Sequence, residues 1–313
     1  MRFFGKRGDE EPEPPLPLIT EPRLLLGGVP RDLKVNELEL HAVARGLQAL
    51  AQAVYLGEHT ALCRVLGFYK LYVDTRDTGF ASHLLLDGYW ELGLTLCIAR
   101  HVRQGMTAVD VGANFGYYTI FICGLVGAEG HVYAVEPNPE AAAMLRRSID
   151  LNGMARRATV IEAAAGAADG SEALLYVPQN EPKNASVVEP SQTVSPSSGT
   201  LHRVSQIRID TAAAEAKRID FIKIDVEGAE EAVIAGLTDV LKRDKPYLVL
   251  EFNAARCRDA DALLGAIRAI YGSLHYLDPY GDAVEVEAGR LKTERFGEDW
   301  LLFCSNPAQP DSP

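Results

Sequence analysis

Residues 107–121 read TAVDVGANFGYYTIF, in which β-branched residues give way to a turn of small residues and then to an aromatic, apolar segment. This order is typical of a buried strand, a glycine-containing turn and a helix. In α/β proteins such a turn brings the backbone close to a bound nucleotide. The stretch therefore decides the fold class, and it raises the question of which nucleotide the turn receives.

After this stretch, apolar strand candidates alternate with amphipathic helices. The strand candidates are short apolar runs: TAVDVG, GHVYAVEP, RATVIEAA, DFIKIDV, YLVLEF, LHYLD and DWLLFCS. Helical stretches lie between them, such as PEAAAMLRRSIDLNG, with Pro139 early and Asn152-Gly153 as a stop signal. This alternation predicts an α/β fold with a mostly parallel sheet that helices cover on both faces.

Composition argues against several classes of function. The chain has 313 residues, of which 47% are hydrophobic, enough for one large domain with an appendage. The formal net charge is −12, and lysines and arginines do not cluster, so we expect no nucleic-acid partner. No apolar run reaches the ~18 residues that a transmembrane helix needs, and the N-terminus lacks the apolar core of a signal peptide.

The cysteines predict the compartment. All five lie far apart and none belongs to a C-x-x-C pair: Cys63, Cys97, Cys123, Cys257 and Cys304. An odd number of scattered cysteines is typical of buried, reduced thiols and not of a disulfide framework or a zinc site. We therefore predict a cytoplasmic protein.

Composition also divides the chain into segments. Residues 1–22 are charged and proline-rich and are predicted to be a disordered tail, as is the short end 307–313. Residues 23–104 are predicted to form a small N-terminal cap of helical and β elements, and residues 105–306 the main domain. Residues 177–204, rich in Ser, Pro, Asn and Thr, interrupt that domain. They are either a disordered surface loop or a functional lid, and we favour a lid because they fall beside the active edge of the sheet.

An amphipathic helix is predicted within the N-terminal cap. Apolar residues recur at helical spacing across residues 32–55, which would give the helix one apolar face. Through this face the helix could pair with a second copy of the chain, so a homo-oligomer is one interpretation that the sequence leaves open.

Polar side chains follow the predicted strands. In open α/β sheets, ligands bind beyond the carboxyl ends of the strands, where the strand order reverses. Five strand-end segments should meet at that edge: Asp110 with the turn Gly112-Ala113-Asn114-Phe115-Gly116, Glu136-Pro137-Asn138, Glu162-Ala163, Asp225-Val226-Glu227-Gly228 and Glu251-Phe252-Asn253.

The turn discriminates between nucleotide ligands. A dinucleotide fingerprint needs G-x-G-x-x-G, so that a pyrophosphate can sit on the helix N-terminus. Here Asn114 stands where the second glycine should be and Tyr117 where the third would fall, which argues against NAD or FAD. Glu136, at the end of the second strand, still suits the two hydroxyls of an adenosine ribose. S-adenosylmethionine fits better, with its amino acid end at the glycine turn and Asp110.

Three motifs resemble those of the FkbM-type S-adenosylmethionine-dependent methyltransferases. They are VDVGANFGYYT, AVEPNPE and FIKIDVEGAEEAVIAG, and the KIDVEGAE block at 223–230 is the most specific of them. The resemblance covers roughly residues 84–305. It implies the Rossmann-like class I methyltransferase fold, a seven-stranded, mostly parallel sheet with an antiparallel last strand. It also implies methyl transfer, usually to a hydroxyl, and a cofactor site made of Asp110, Gly112, Asn114, Gly116 and Glu136.

The resemblance implies further site residues. Many class I methyltransferases carry an acid after the third strand that pairs with adenine, and Glu162 stands there in this chain. Asn184-Ala185-Ser186 resembles a short polar motif on the substrate side of the family, so Asn184 and Ser186 are predicted to bind the acceptor. The predicted cofactor residues also include Pro137, Asn138 and Ala163.

A hydroxyl acceptor needs a group that takes its proton or polarises it, because it is a poor nucleophile at neutral pH. Asp225 is predicted to be that base, with help from Glu251, although Asp225 could instead cap the following helix. Glu227 and Asn253 are predicted to bind the acceptor, and for Glu227 a role in the helix dipole alone is the alternative. Asp225, Glu251 and Asn253 could also hold Mg²⁺, but we favour hydrogen bonds to the acceptor over a metal.

The sequence thus predicts an S-adenosylmethionine-dependent methyltransferase that acts on a hydroxyl of a sugar, a polysaccharide or a secondary metabolite. The expected partner is a small-molecule or glycan acceptor. Two alternatives stay open: an NAD-dependent oxidoreductase, against which the glycine pattern counts, and a non-catalytic scaffold with the same fold.

Overall fold

The computed structural model describes residues 29–188 and 198–306. The predicted tails at 1–22 and 307–313 lie outside the described residues, and so does part of the predicted insertion. One helix, three strands and two shorter helices precede the main sheet: α1 (Glu37–Leu50), β1 (Gln52–Gly57), β2 (Thr60–Val65), β3 (Tyr69–Asp74), α2 (Phe80–Leu86) and α3 (Leu92–His101).

Helix α1 begins at a capping box and is shorter than the predicted helix. The Asn36 side chain accepts a hydrogen bond from the backbone N of Glu39 (3.0 Å), and the Glu39 carboxylate accepts one from the backbone N of Asn36 (2.9 Å). The chain continues as β1, so the prediction of one helix over 32–55 is wrong. The apolar face of α1 centres on Val43 and Leu47, which are buried within the chain and therefore not free to pair with a second copy.

Strand pairing explains where the helix prediction failed. β1 pairs with β2, and β2 with β3, in a three-stranded antiparallel sheet. Val54 and Tyr55 are residue types that suit a strand as well as the apolar face of a helix. Pairing with β2 decides between the two, and this long-range contact is not visible in the spacing of apolar residues.

The remaining elements form the main sheet, its helices and a smaller sheet. They are β4 (Thr107–Val111), α4 (Tyr117–Val126), β5 (His131–Val135), α5 (Pro139–Leu151), β6 (Ala158–Ile161), β7 (Ala164–Ala165), β8 (Glu172–Pro178), β9 (Ser186–Val188), β10 (Gly199–Ile207), α6 (Ile209–Ala212), β11 (Phe221–Ile224), α7 (Glu230–Ala235), α8 (Thr238–Asp244), β12 (Tyr247–Phe252), α9 (Ala260–Tyr271), β13 (His275–Leu277), β14 (Ala283–Glu285), α10 (Ala288–Thr293) and β15 (Trp300–Cys304). Within the described ranges, no helix has both the length and the apolar character that crossing a bilayer requires.

The main sheet has eight strands in the order β14-β13-β15-β12-β11-β4-β5-β6. All seven predicted strands are in it, and the last, β15, runs antiparallel to β12 and β13, as predicted. The strands β4, β5, β6, β11 and β12 are parallel to their neighbours in this group. The eighth strand, β14, pairs with β13 at the edge. Ala283 and Glu285 of β14 are exposed and only Val284 is partly buried, so the strand shows no apolar run and the predicted count was one short.

A second sheet, in the order β7-β10-β8-β9, contains much of the predicted insertion. β8 pairs antiparallel with β10 and with β9, and one turn of 3-10 helix, Pro182–Asn184, precedes β9. The described residues of 177–204 are therefore mainly strands. A role for this segment as a lid stays a prediction.

The ends of β4 and β11 approach each other closely at Gly112. The backbone N of Asp225 donates to the carbonyl of Val111 (3.1 Å), which joins the two strand ends. Gly112 has a φ of +77°, and a Cβ built on it would lie 1.8 Å from the carbonyl oxygen of Asp225. Only glycine fits there, because a side chain would both strain the backbone and collide with the neighbouring strand end.

We expect Gly112→Ala to lower the free energy of unfolding by more than about 4 kcal/mol, a range reached when a clash or special backbone conformation is involved. Gly105→Ala is the matched control, since Gly105 has a similar φ of +79° and nothing within 4 Å of a built Cβ. It should lose only the backbone term of about 1–2 kcal/mol. Urea denaturation of both variants measures the difference, and equal losses would contradict the close approach of β4 and β11.

Candidate functional site

A cavity lies where the strand order reverses, between β4 and β11, with about 1020 Å³ of empty space counting its open mouth. Three parts of the chain line the cavity. Strand ends of the main sheet contribute Gly112, Asn114, Glu136, Pro137, Lys223, Asp225, Glu227 and Glu251; the N-terminal cap contributes Phe80, Trp90 and Glu91; and the insertion contributes Pro182, Lys183, Ala185 and Val187.

The carboxylate of Glu136 fixes the glycine turn. Its Oε2 accepts a hydrogen bond from the backbone N of Asn114 (2.7 Å), and its Oε1 accepts one from the backbone N of Asn138 (2.8 Å). Burial raises the pKa of Glu136 to about 7, and these two N–H groups oppose the rise. Each oxygen keeps a free lone pair, so Glu136 can also accept hydrogen bonds from two neighbouring hydroxyls of a ligand in the cavity.

Lys223 joins the strand ends at the centre of the site. Its Nζ donates to Asp225 Oδ2 (3.2 Å) and to the carbonyl of Gly112 (3.4 Å), and it lies 3.7 Å from Asp110 Oδ1. Burial alone would lower the pKa of Lys223, but the carboxylates of Asp225 and Asp110 raise it above its usual value. The lysine therefore stays charged and compensates two acids that would otherwise repel each other.

Three carboxylates lie together at the β11 and β12 side of the cavity. The ligand oxygens of Asp225, Glu227 and Glu251 are within 4.8 Å of one another. Arg256 forms ion pairs with Glu227 and, at 3.4 Å, with Glu251. The pKa of Glu251 is raised to about 9. Burial is the largest cause, the negative charges of Asp225 and Glu227 add to it, and the positive charge of Arg256 opposes it. At neutral pH the Glu251 carboxyl is therefore protonated and can donate a hydrogen bond.

The N-terminal cap delivers a fourth acid, Glu91. The Tyr118 hydroxyl, at the start of α4, donates to Glu91 Oε2 (2.7 Å). Glu91 has a left-handed φ of 37°, and Glu227 one of 54°, a conformation that costs non-glycine residues about 1–3 kcal/mol and that clusters at functional sites. Burial and then the charge of Asp225 raise the pKa of Glu91, against the hydroxyl of Tyr118.

The cap and the insertion meet over the cavity through one buried acid. Asp77 Oδ1 accepts a hydrogen bond from the backbone N of Phe80 (2.7 Å), and its Oδ2 accepts one from the backbone N of Lys183 (2.9 Å). Asp77 is 1% exposed, and burial raises its pKa against these two hydrogen bonds. The wall that faces the main sheet is thus built from two separate segments that share this carboxylate.

The structure brings together only part of the predicted site. Among the predicted residues, seven line the cavity: Gly112, Asn114, Glu136, Pro137, Asp225, Glu227 and Glu251. Their proposed roles stay predictions, but the expectation that one edge of the sheet gathers them matches the geometry.

Three predicted cofactor residues lie behind the turn instead of in the cavity wall. Asp110 is fully buried, and its Oδ2 accepts a hydrogen bond from the Thr119 hydroxyl (2.6 Å). Gly116 has a φ of +98°, and a Cβ there would fall 2.3 Å from Leu145 Cδ1, so its glycine serves helix packing. The side chain of Asn138 caps the start of α5. These residues support the turn and do not reach the cavity.

Glu162 and Ala163 do not line the cavity either. Glu162 is partly exposed and its Oε2 pairs with Arg146 Nη1 (2.7 Å) on the surface. The following residues, Ala164 and Ala165, form the wall in their place. The strand end beyond β6 therefore offers an apolar surface and not an acid.

The polar motif of the insertion faces away from the cavity. Ala185 and Val187 line it, whereas Asn184, at the end of the 3-10 turn, and Ser186 do not. In β9, where successive side chains point to opposite sides, Val187 faces the cavity and Ser186 does not. Asn184 Nδ2 donates to Glu181 Oε2 (2.8 Å). Contact of Asn184 and Ser186 with an acceptor thus has no support from their position.

Asn253 connects two loops outside the cavity. Its Nδ2 donates to the carbonyl of Gly297 (3.1 Å) and to Asp299 Oδ1 (2.8 Å), and its Oδ1 accepts from the backbone N of Ala255 (3.0 Å). With both ends of the amide engaged, Asn253 is not a ligand of a metal or an acceptor here. Glu227 takes its place beside Asp225 and Glu251 in the predicted acidic group.

From the sequence, packing is the expected role of Trp90 and Glu91 in DGYWELG, with a contact to the cofactor as the lesser alternative, and Lys183 is not singled out. For Lys223, a structural salt bridge and a role inside the site are equally open. All four residues line the cavity. Lys223 lies inside the KIDVEGAE block, where its alternation with Asp225 is the signal that both point to the same side.

Comparison with known proteins gives one family. The sequence model of the family described as the methyltransferase FkbM domain matches residues 110–277, more than half of the chain. A protein-L-isoaspartate O-methyltransferase of Methanothrix thermoacetophila is 40% identical over 55 residues, which are 18% of this chain and 26% of that protein. Methyltransferase 1 of Beauveria bassiana is 25% identical over 146 residues, 42% of this chain and 58% of that protein.

The chain thus spans between 26% and 58% of the length of these curated relatives. Among solved structures, that of a methyltransferase FkbM from Methylobacillus flagellatus has a TM-score of 0.38 and 21% sequence identity. The superposition covers 64% of this chain and 43% of that one.

We expect Lys223→Met to lower the free energy of unfolding by about 3–5 kcal/mol at neutral pH, because Asp110 is left buried without its cation. Burial already raises the pKa of Asp110, so the loss should shrink as the pH falls and that carboxylate takes up a proton. Denaturation at several pH values measures this trend. Lys217→Met, at an exposed position, is the control; a loss for Lys223→Met that is independent of pH would contradict the role of the ion pairs.

Proposed function

Because the chain belongs to the methyltransferase FkbM domain family, we propose that it transfers the methyl group of S-adenosylmethionine to a hydroxyl oxygen of a sugar, a polysaccharide or a secondary metabolite. One observation carries the proposal: the glycine turn with Glu136 and the carboxylates Asp225 and Glu251 line the same cavity. A nucleoside and an acceptor hydroxyl can therefore be held next to each other.

The cavity wall suits an adenosine that carries a positive charge. Glu136 offers two free lone pairs to the ribose hydroxyls, and Ala164, Ala165 and Leu175 provide an apolar wall for the adenine. The carboxylates of Asp225 and Glu227 line the same cavity and would attract a sulfonium. Lys223 is neutralised by two carboxylates and is therefore a poor partner for the pyrophosphate of a dinucleotide, which counts against the oxidoreductase alternative.

S-adenosylmethionine supplies an electrophilic methyl group on a positively charged sulfur. The residues of this chain then have to orient the acceptor oxygen and take its proton. Alignment of reacting atoms can contribute up to ~7–11 kcal/mol in favourable systems. The shared wall of cap, insertion and strand ends, joined at Asp77, supports such an alignment.

We assign the proton-accepting role to Asp225. Its carboxylate lines the cavity, is 33% exposed and is held by Lys223. Glu251 is unsuited to that role at neutral pH, because its pKa of about 9 leaves it protonated. It can instead donate a hydrogen bond that holds the acceptor oxygen. Asp225 and Glu251 thus have two different proposed roles, base and hydrogen-bond donor, whereas the sequence predicted that Glu251 helps Asp225 as the base.

The proposed reaction needs no metal step. Asp225, Glu227 and Glu251 are close enough to share a cation, but the Arg256 guanidinium already pairs with Glu227 and Glu251. A divalent ion would have to displace that arginine, and its binding would also require the free energy of its own desolvation. We therefore assign Mg²⁺ no role in the reaction.

We expect Glu136→Gln to weaken the binding of S-adenosylhomocysteine by about 10- to 100-fold, the value of roughly 1.5–3 kcal/mol for a hydrogen bond to a charged group. Since the pKa of Glu136 is about 7, the affinity of the unaltered protein should rise as the pH passes through 7, whereas that of the variant should not. Titration calorimetry measures both. Glu162→Gln is the control, as Glu162 lies outside the cavity. Unchanged affinity in Glu136→Gln, or binding of NAD in preference to S-adenosylhomocysteine, would refute the cofactor assignment.

We expect Asp225→Asn to lower kcat by about 10²–10⁴-fold with little change in cofactor affinity, because the variant cannot accept the proton. Activity of the unaltered protein should fall as the pH rises through about 9, where Glu251 loses its proton, and Glu251→Gln should abolish that fall. The measurement is transfer of labelled methyl groups into extracts over a pH series. Asp239→Asn, with an 80% exposed side chain, is the matched control. Full activity in Asp225→Asn would contradict the proposed base.

A further inference from the structure

A second groove lies on the other side of the acids. It runs along β13 and β15, and it shares two lining residues with the first cavity, Glu91 and Glu251. The two spaces therefore meet at these carboxyl groups, beside the proposed base Asp225. Neither the family match nor the sequence motifs assign a role to this groove, and its inner residue Glu91 lies outside the matched residues 110–277.

The groove combines an aromatic floor with hydrogen-bonding side chains. Tyr276 and Trp300 pack edge to face with their ring centroids 5.1 Å apart. The guanidinium of Arg295 lies 3.9 Å from the centre of the Trp300 ring, and that of Arg290 5.8 Å from the Tyr276 ring. Trp300 is 2% exposed, and its Nε1 has no hydrogen-bond partner in the described part of the chain.

The charges along the groove nearly cancel. Glu294 pairs with Arg290 and Asp299 with Arg256, and the Glu251 carboxyl is protonated at neutral pH; the groove is lined by two arginines, Arg290 and Arg295, and five acids, Glu91, Glu251, Asp278, Glu294 and Asp299. The carboxyl and guanidinium groups can exchange hydrogen bonds with the hydroxyls of a ligand, and the partly buried Tyr276 ring can pack against an apolar face of that ligand. A groove with little net charge suits a neutral, polyhydroxylated chain and offers no net attraction to a phosphate or a carboxylate.

We infer that this groove binds the methyl acceptor, a neutral carbohydrate chain, and that Glu91 and Glu251 hold the reacting hydroxyl at the inner end of the groove. The inference rests on the proposed function, because it needs the first cavity for the methyl donor. Glu91 is held for this role by the Tyr118 hydroxyl, and it lines both spaces. The cap thus supplies part of the acceptor site.

The two tryptophans of the chain allow the two spaces to be observed separately. Trp90 lines the first cavity and Trp300 the second groove, and the sequence contains no other tryptophan. We suggest labelling the full chain with fluorotryptophan and assigning the two fluorine NMR signals with Trp90→Phe and Trp300→Phe. S-adenosylhomocysteine is added first, followed by maltotriose, cellotriose or chitotriose as neutral probes and a trigalacturonate as the charged one.

The cofactor product should shift the Trp90 signal, and at least one neutral trisaccharide should shift the Trp300 signal. Arg290→Ala should weaken that second response at least tenfold and leave the Trp90 response unchanged. Arg203→Ala is the matched control, because Arg203 forms an exposed ion pair with Glu172 outside the groove. Tyr276→Leu provides an independent second variant in case one substitution disturbs folding, and it should have the same effect as Arg290→Ala.

Three outcomes would overturn the inference. The Trp300 signal stays in place with every neutral trisaccharide; or the sugars shift the Trp90 signal alone; or the trigalacturonate shifts the Trp300 signal as strongly as the neutral probes. Failure of S-adenosylhomocysteine to shift the Trp90 signal would instead count against the proposed function. The two failures are therefore distinguishable without measuring activity.

Discussion

A buried ammonium group holds the two halves of the candidate site together. Lys223 Nζ lies between Asp110 on β4 and Asp225 after β11, and it also contacts the carbonyl of Gly112. Without a cation between them, the carboxylates of Asp110 and Asp225 would repel each other, and the burial of each would cost roughly several kcal/mol of desolvation free energy. The close approach of the strand ends therefore depends on this lysine. The contacts of Lys223 also fix the distance between the glycine turn and Asp225 on the opposite side of the cavity.

The fold and the position of the site follow from local features of the sequence. The seven predicted strands are apolar runs because helices cover both faces of the sheet. Each strand can therefore be predicted from its own residues, without knowledge of the strands it pairs with. Parallel strands place their carboxyl ends at one edge, and this rule alone brings Glu136, Asp225 and Glu251 into one cavity. The edge strand β14 has only one partly buried residue, Val284, and therefore lacks such an apolar run.

Other features depend on contacts between distant segments and could not be predicted. Glu91 reaches the cavity because the Tyr118 hydroxyl holds it, and no spacing within the sequence links these two residues. For Asn184 and Ser186 the motif suggested contact with a ligand, but Asn184 ends a 3-10 turn and donates to Glu181. In β9 the alternation of side chains turns Val187 towards the cavity in place of Ser186. Glu162 was placed correctly after the third strand, yet Arg146 on α5 draws its carboxylate to the surface.

The carboxylate of Asp77 has a consequence for how this fold can vary. It accepts one backbone N–H from the cap, at Phe80, and one from the insertion, at Lys183. Asp77 thereby couples the positions of two segments that lie outside the main sheet, the cap and the insertion. An insertion grafted from another family member would have to present a backbone N–H at the position of Lys183, or leave the buried Asp77 carboxyl with only its hydrogen bond from Phe80.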